Sequence, residues 1–163
     1  MIRLAIIALV LAASQAHALS CMRPDVATSF QRFAASEKSY VVLLGQFNFD
    51  KSLLPKAPDD NPNDTRPNTF IPATFAGKSL SRAGFVNDFT TQLTVNATCL
   101  GPWCSGMSSD VNTVAFVEKR GSDYTLTISP CGGAAFAKPS PQDLKVLTRC
   151  LQGKTCEPAL KPQ

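Results

Sequence analysis

Alternating hydrophobic and polar residues predict a β-strand across residues 85–98. A side-chain period of two is typical of a strand that is buried on one face and exposed on the other. The polar face of this strand carries Asp88, Thr90, Gln92, Thr94 and Asn96. The hydrophobic face, which we expect to point into the core, carries Phe85, Phe89, Leu93, Val95 and Ala97.

Two earlier segments also have the composition of strands. The segment Tyr40–Phe49 is rich in β-branched and aromatic residues, which favour strands. Gly45 lies within it, and a glycine inside a strand indicates a bulge or a sharp bend. A further strand is expected over residues 69–77, and we expect Pro72 to interrupt it because proline has no N–H for a sheet hydrogen bond.

A hairpin is predicted near the end of the chain. The turn sequence 120–123 contains Gly121 and joins two stretches of high strand propensity, 113–119 and 124–129. The inward-facing residues of the second stretch are expected to be Tyr124, Leu126 and Ile128.

Helices are predicted at both ends of this β-rich region. Asp25 favours a helix start, and Val26, Phe30 and Phe33 follow at helical spacing. Ser140 is a typical N-cap residue, and it precedes Pro141 at the first helical position. Leu144, Leu147 and Leu151 would form the buried stripe of this second helix.

These elements predict a fold that is mainly β with two helices. A helix, about five strands of which one is strongly bent, and a closing helix are typical of a five-stranded Greek-key barrel of the OB type. The proline-rich segment 55–67 is expected to be a loop. Residues 19–163 have the length of a single domain.

The first 18 residues have the order of a secretory signal peptide. Arg3 gives a positive start, residues 4–13 are apolar, and Ala16 and Ala18 are small residues before a cleavage site. The apolar run is shorter than the roughly 20 residues that a membrane span needs. We therefore expect a secreted or periplasmic protein, cleaved after Ala18 or after Ser20.

Cys21 leaves a second destination open. A cysteine directly after a signal peptide is the lipid attachment site of bacterial lipoproteins, although Ala18 stands where leucine is usual. Lipidation would anchor the chain to a membrane of the cell envelope. It would also remove Cys21 from the disulfides.

The six cysteines predict three disulfides. An even number of cysteines in an exported chain points to disulfides, and their spacing is wider than that of common zinc sites. Many pairings are compatible with six cysteines. The set that we expect has two local bridges and one long one: Cys99–Cys104, Cys150–Cys156 and Cys21–Cys131.

Charge and residue types argue against several classes of function. The net charge of +4 is spread along the chain, without the basic stripe typical of nucleic-acid-binding proteins. The single histidine, His17, lies inside the predicted signal peptide, so no Ser–His or Cys–His pair could form in the mature chain. A pair of carboxylates remains a possible catalytic arrangement, since two suffice for glycoside hydrolysis. We do not expect an enzyme or a cofactor.

Two segments are candidates for binding. The only tryptophan, Trp103, lies between Cys99 and Cys104, where it could either bind a partner or fold back over a barrel end. Residues 59–64 alternate oxygen ligands as a calcium loop does, but positions six and twelve of such a loop would be Asp64 and Phe70. We therefore expect no metal there.

The chain resembles the netrin-like module, the OB-fold barrel of tissue inhibitors of metalloproteinases and of bacterial secreted proteins. The resemblance rests on Cys21–Pro24, Ser39–Gly45, Trp103–Gly106 and Leu126–Cys131. It implies that the early cysteine pairs with a cysteine after a late strand, here Cys131. The inhibitors begin with Cys-x-Cys, whereas Met22 and Arg23 follow Cys21 here.

The expected function is therefore a non-catalytic binding or interaction protein, secreted or periplasmic, with a protein or envelope partner. One alternative is a metalloprotease inhibitor that acts through a free amine on Cys21. That mechanism would require cleavage after Ser20. The other alternative is a membrane-anchored lipoprotein.

Overall fold

The structure is a computed structural model that describes residues 19–158. The predicted signal peptide and its His17 lie outside the described residues. The elements follow one another in the order α1 (Val26–Ala34), β1 (Tyr40–Phe49), a 3₁₀ helix (Lys51–Leu53), β2 (Asn68–Ser81), β3 (Gly84–Leu100), β4 (Trp103–Cys104), β5 (Thr113–Arg120), β6 (Asp123–Ile128), β7 (Ala135–Ala137) and α2 (Pro141–Leu151).

Five strands form a closed ring. Their order is β1, β2, β3, β6 and β5, and β5 pairs again with β1. All neighbours in the ring are antiparallel except β3 and β6, which are parallel. The predicted fold class is confirmed: the chain is mainly β with two helices, a ring of five strands and three disulfides. Two short strands were not anticipated, β4 beside β3 and β7 beside β5.

The first strand closes the ring by pairing on both sides. Residues Tyr40–Gly45 pair with β5, and residues Leu43–Phe49 pair with β2. Gly45 lies opposite Gly77, and a Cβ placed on Gly45 would be 2.3 Å from the carbonyl oxygen of Ala76. The close crossing of β1 and β2 therefore requires glycine at this point.

Two hydrophobic clusters stabilise the fold. The first fills the ring with alternate residues of each strand, among them the fully buried Leu43, Phe47, Ile71, Phe75, Val95, Val117 and Leu126. The second lies outside the ring, where α1 and α2 cover the outer face of β5 and the first half of β1. Its buried members are Val26, Ala27, Val114, Phe116, Val146, Leu147 and Cys150.

Pro72 does not interrupt β2, which is a correction to the sequence prediction. The strand runs without a break from Asn68 to Ser81, and Pro72 pairs with Thr94 of β3. On its other side, β2 pairs with β1 only as far as Ala73. At Pro72, β2 therefore has a paired strand on one side only, a position at which a strand tolerates proline.

Phe85 lies on the other face of β3 from the one that its sequence position predicts. The pairing of β2 with β3 shifts between Ser79↔Asn87 and Leu80↔Phe85, so Val86 is an extra residue on β3. One extra residue moves every side chain before it to the opposite face. Phe85 consequently packs with the helices outside the ring, whereas Phe89 packs inside it.

The three disulfides are the pairs that the sequence suggested. Cys21–Cys131 joins the segment before α1 to the segment after β6, Cys99–Cys104 closes the end of β3 onto β4, and Cys150–Cys156 holds the chain after α2. Such bridges are typical of an oxidising compartment outside the cytoplasm. Between residues 19 and 158, no helix has the length and apolar character of a membrane span.

Candidate functional site

The parallel pairing of β3 and β6 gathers the candidate residues at one end of the ring. The carboxyl ends of both strands lie there, and the Thr98 hydroxyl donates a hydrogen bond to the Ile128 carbonyl oxygen at 3.1 Å. The Trp103 loop follows β3, and Cys131 follows β6. Two regions that are far apart in sequence, Trp103 and the Cys21–Cys131 disulfide, therefore lie at the same end.

The Trp103 loop is a tight turn closed by a disulfide. It comprises residues 100–103, and Leu100 pairs with Trp103 across the turn. Cys99 and Cys104 pair in the next register position and are covalently joined. Gly101 adopts a φ of 55°, a left-handed conformation that favours glycine.

Hydrogen bonds hold the Trp103 loop from the proline-rich segment and from β3. The Thr65 hydroxyl donates to the Gly101 carbonyl oxygen at 2.8 Å. The Cys99 N–H donates to the Pro67 carbonyl oxygen at 3.2 Å, and the Ser105 N–H donates to the Thr98 carbonyl oxygen at 2.9 Å. The loop is therefore fixed before any partner arrives.

Apolar side chains on this fixed loop face solvent. Trp103 is 37% exposed and Leu100 is 50% exposed, and Trp103 belongs to neither hydrophobic cluster. Leu19 and Pro102 line the same depression. We call this patch, Leu19, Leu100, Pro102 and Trp103, the Trp103 surface. The side chain of Trp103 therefore lies on the surface at this end of the ring.

Cys21 lies in an exposed part of the N-terminal segment. Its sulfur is bonded to Cys131, and the next residue, Met22, is 92% exposed. The segment after Cys131 is tied to α1, since the Arg32 guanidinium donates to the Gly133 carbonyl oxygen at 3.0 Å. The disulfide therefore fixes the N-terminal segment against both α1 and the end of β6.

The residues that suggested a calcium loop have another role. The Asp60 carboxylate accepts a hydrogen bond from the Asn61 N–H at 3.1 Å, and the Asp64 N–H donates to the Asn61 carbonyl oxygen at 2.9 Å. Among residues 19–158, no group of three or more His, Cys, Asp or Glu side chains could hold a metal ion. Instead, Asn63 lines the depression beside Trp103.

Several carboxylates that a hydrolase could use are engaged in structural contacts. Glu118 pairs with Lys38, and Asp88 pairs with Lys78, each at 2.8 Å. The hydrogen bond from Lys78, followed by its charge, lowers the pKa of Asp88 from its ordinary value. Asp25, Asp50 and Asp143 accept hydrogen bonds from backbone N–H groups at helix starts. Each of these five carboxylates therefore has a partner within the fold.

Sequence reasoning identified Trp103 but not its neighbours. Leu19 and Asn63 reach the Trp103 surface only because the ring brings three separate segments to one end. The alternation within each strand carries no information about which strand ends meet.

The chain was compared with known proteins. No protein-family model, no curated protein and no solved structure matches it.

Proposed function

We propose that this chain is a non-catalytic binding protein, secreted or periplasmic, that docks a protein or envelope partner through the Trp103 surface. The observation that carries the proposal is an exposed tryptophan on a loop fixed by the Cys99–Cys104 disulfide and by Thr65. A rigid aromatic side chain loses little conformational entropy when it is buried by a partner. Tryptophan is among the residues that contribute most to binding at interfaces.

Two features of the chain support its export from the cytoplasm. Three disulfides are stable where thiols are not kept reduced, and residues 1–18 have the order of a signal peptide. The choice between secretion and the periplasm depends on the host and is part of the proposal.

The central outer face of β2 and β3 supports a partner other than nucleic acid. On β2 and β3 the outward residues at the centre are neutral, among them Thr74, Gln92 and Thr94. Lys78 and Asp88, nearer one end, pair with each other at 2.8 Å. Nucleic-acid binding depends on basic groups that neutralise phosphates, and this face offers no net positive charge.

The netrin-like resemblance remains a proposal that the ring order supports. An OB barrel is a five-stranded Greek-key barrel. The strand order found here, with β6 inserted between β3 and β5, is compatible with that architecture. The Cys21–Cys131 pair also follows the arrangement that the resemblance implied.

The two alternative functions both depend on Cys21. A lipid thioether and the disulfide to Cys131 use the same sulfur, so one chain cannot carry both. The inhibitor mechanism requires a free amine on Cys21, and Leu19 and Ser20 would block it after cleavage at Ala18. The intact mass of the exported protein, measured unreduced and then reduced with thiol labelling, separates the three cases. A chain that begins at Leu19 favours the binding protein. A chain that begins at an unmodified Cys21 permits the inhibitor, and one that begins at Cys21 with acyl chains is the lipoprotein.

The binding proposal is tested by capture from the native envelope and surrounding medium with immobilised protein. We expect Trp103→Ala to reduce specific capture by roughly 30-fold, the effect of removing an interface hot spot. Phe70→Ala is the matched control, because Phe70 is 67% exposed but lies on β2 outside the Trp103 surface. Equal capture by wild type and Trp103→Ala, with intact disulfides in both, would contradict the proposal.

A further inference from the structure

A cavity of about 440 Å³ lies at the end of the ring opposite the Trp103 surface. It lies where β1 and β2 diverge. The pairing of these strands begins at Leu43↔Ser79, so Tyr40–Val42 pair with β5 only. The carboxyl end of α1 reaches over the gap, with Phe33 and Ala34 in the lining. The cavity therefore lies where β1 and β2 no longer pair.

Aromatic rings form much of the cavity wall. The Phe33 ring is 4.6 Å from the Tyr40 ring and 4.8 Å from the Phe116 ring, between centroids. On the side of the ring interior, the Phe89 and Tyr124 rings meet edge to face at 5.5 Å. The volume lies within the range of about 300–1,000 Å³ typical of small-molecule sites. Such a wall suits an apolar ligand body.

The charged side chains that line the cavity are both lysines, Lys38 and Lys119. Among the described residues, no Asp or Glu is part of the lining. Glu118 lies nearby, but Lys38 contacts it at 2.8 Å and Arg120 lies 3.9 Å from it. Within residues 19–158, Lys119 has no carboxylate within ion-pair distance. The cavity therefore combines an apolar wall with a net positive charge.

We propose that this cavity binds a small amphipathic anion, an alkyl or aryl carboxylate whose apolar body packs among the rings and whose carboxylate meets Lys119. Burial of the apolar body provides the driving force, and the lysine fixes the orientation. The site is separate from the Trp103 surface and goes beyond the proposed binding function. An experiment that contradicts ligand binding in the cavity would therefore not contradict partner binding at the Trp103 surface.

The test is calorimetric titration of the disulfide-intact protein with sodium hexanoate, octanoate and decanoate below micelle concentrations. We expect saturable binding of one molecule, tightening roughly fourfold for each added methylene. Octan-1-ol is the neutral comparison and should bind more weakly than octanoate. The absence of saturable binding, or an affinity independent of chain length, would overturn the proposal.

Two matched pairs of variants locate the site. Ala34→Trp should abolish octanoate binding by filling the cavity, whereas Ala35→Trp, one residue beyond α1, should retain it. Lys119→Met should weaken octanoate binding roughly twofold to fivefold and leave octan-1-ol unchanged. Lys51→Met, in the 3₁₀ helix after β1, should change neither ligand.

Three further results would overturn parts of the cavity proposal. Octanoate that still binds Ala34→Trp would place the ligand elsewhere and overturn the assignment. Equal affinity for octanoate and octan-1-ol would overturn the role of Lys119. An extended apolar peptide that binds along Tyr40–Val42 while octanoate does not would replace the small anion by a peptide strand on the free edge of β1.

Discussion

Gly45 and Gly77 face each other where β1 crosses β2, and the crossing leaves no room for a side chain at either position. A Cβ on Gly45 would lie 2.7 Å from the Gly77 Cα and 2.9 Å from the Phe75 ring. Backbone atoms cannot move aside as a flexible side-chain end can. The sequence indicated a bend at Gly45, but the reason for glycine is the close approach of another strand.

Gly45→Ala is therefore expected to destabilise the protein by about 1–3 kcal/mol or more, the cost of overpacking a well-packed core. The measurement is urea unfolding followed by far-UV circular dichroism. Gly106→Ala is the control, because a Cβ at Gly106 would meet nothing within 4 Å. Equal unfolding midpoints for the two variants would contradict this account of the crossing.

Trp103 shows what residue type alone can indicate about a site. The position of the only tryptophan between two nearby cysteines suggested either a binding residue or a cover for the barrel end. In the structure, Thr65, Pro67 and Thr98 hold the loop so that the indole is 37% exposed. Those contacts join segments whose proximity no local pattern encodes.

At the scale of elements, α1 begins where its sequence predicts because Asp25 caps it. The Asp25 carboxylate accepts hydrogen bonds from the Ala27 N–H and the Thr28 N–H, each at 2.9 Å. Burial raises the pKa of Asp25, but the hydrogen bonds from Thr28 and Ala27 outweigh burial and lower the pKa below 3.8. The charged form is therefore the one that stabilises the helix.

Asp25→Ala should lower the free energy of unfolding by about 1 kcal/mol, and Asp25→Asn should lower it less because asparagine also caps helices. Since the folded pKa is depressed, the contribution of the charge is present above the unfolded value near 3.8 and is lost as pH falls through the folded value. Urea unfolding of wild type and Asp25→Asn across pH 7 to about pH 2 measures this difference. A constant difference over that range would show that the Asp25 charge contributes nothing.

The bulge at Val86 shows where strand periodicity stops being a reliable guide. Alternation put Phe85 and Phe89 on one face, and for residues 89–97 the structure agrees. The extra residue reverses the alternation before it, so Phe85 packs against the helices. A bulge is set by the fit of β2 and β3 around the ring and leaves no periodic signature in a single strand.

For the whole molecule, the long disulfide should contribute more to stability than the short ones. Cys21–Cys131 spans 110 residues, whereas Cys99–Cys104 spans 5. In the chain-entropy model, a closed loop of about 100 residues is worth roughly 4–5 kcal/mol and a very short one about 2 kcal/mol. The long bridge ties the N-terminal segment to the segment after β6, at the end of the ring that carries the Trp103 surface.

Replacing both cysteines of a pair by serine tests this ordering. The Cys21→Ser, Cys131→Ser variant should lose roughly 4–5 kcal/mol of unfolding free energy, and the Cys99→Ser, Cys104→Ser variant about 2 kcal/mol. Chemical denaturation at fixed pH gives both values. The reverse order would mean that native-state contacts, rather than loop length, set the contribution of these bridges. The second variant should also weaken capture through Trp103, because its loop would be less rigid.

The sequence by itself determined the elements and their chemistry. Residue spacing predicted β1, both helices, the hairpin and three disulfides, because periodicity, capping residues and cysteine number act locally or are simple counts. The tertiary structure decided what those elements make together: the parallel contact of β3 with β6, the exposed Trp103 surface and the cavity between β1 and β2. These features arise from closing the ring, where strand twist, the Gly45–Gly77 crossing and the Val86 bulge must fit at once, and that fit is a property of all the strands together.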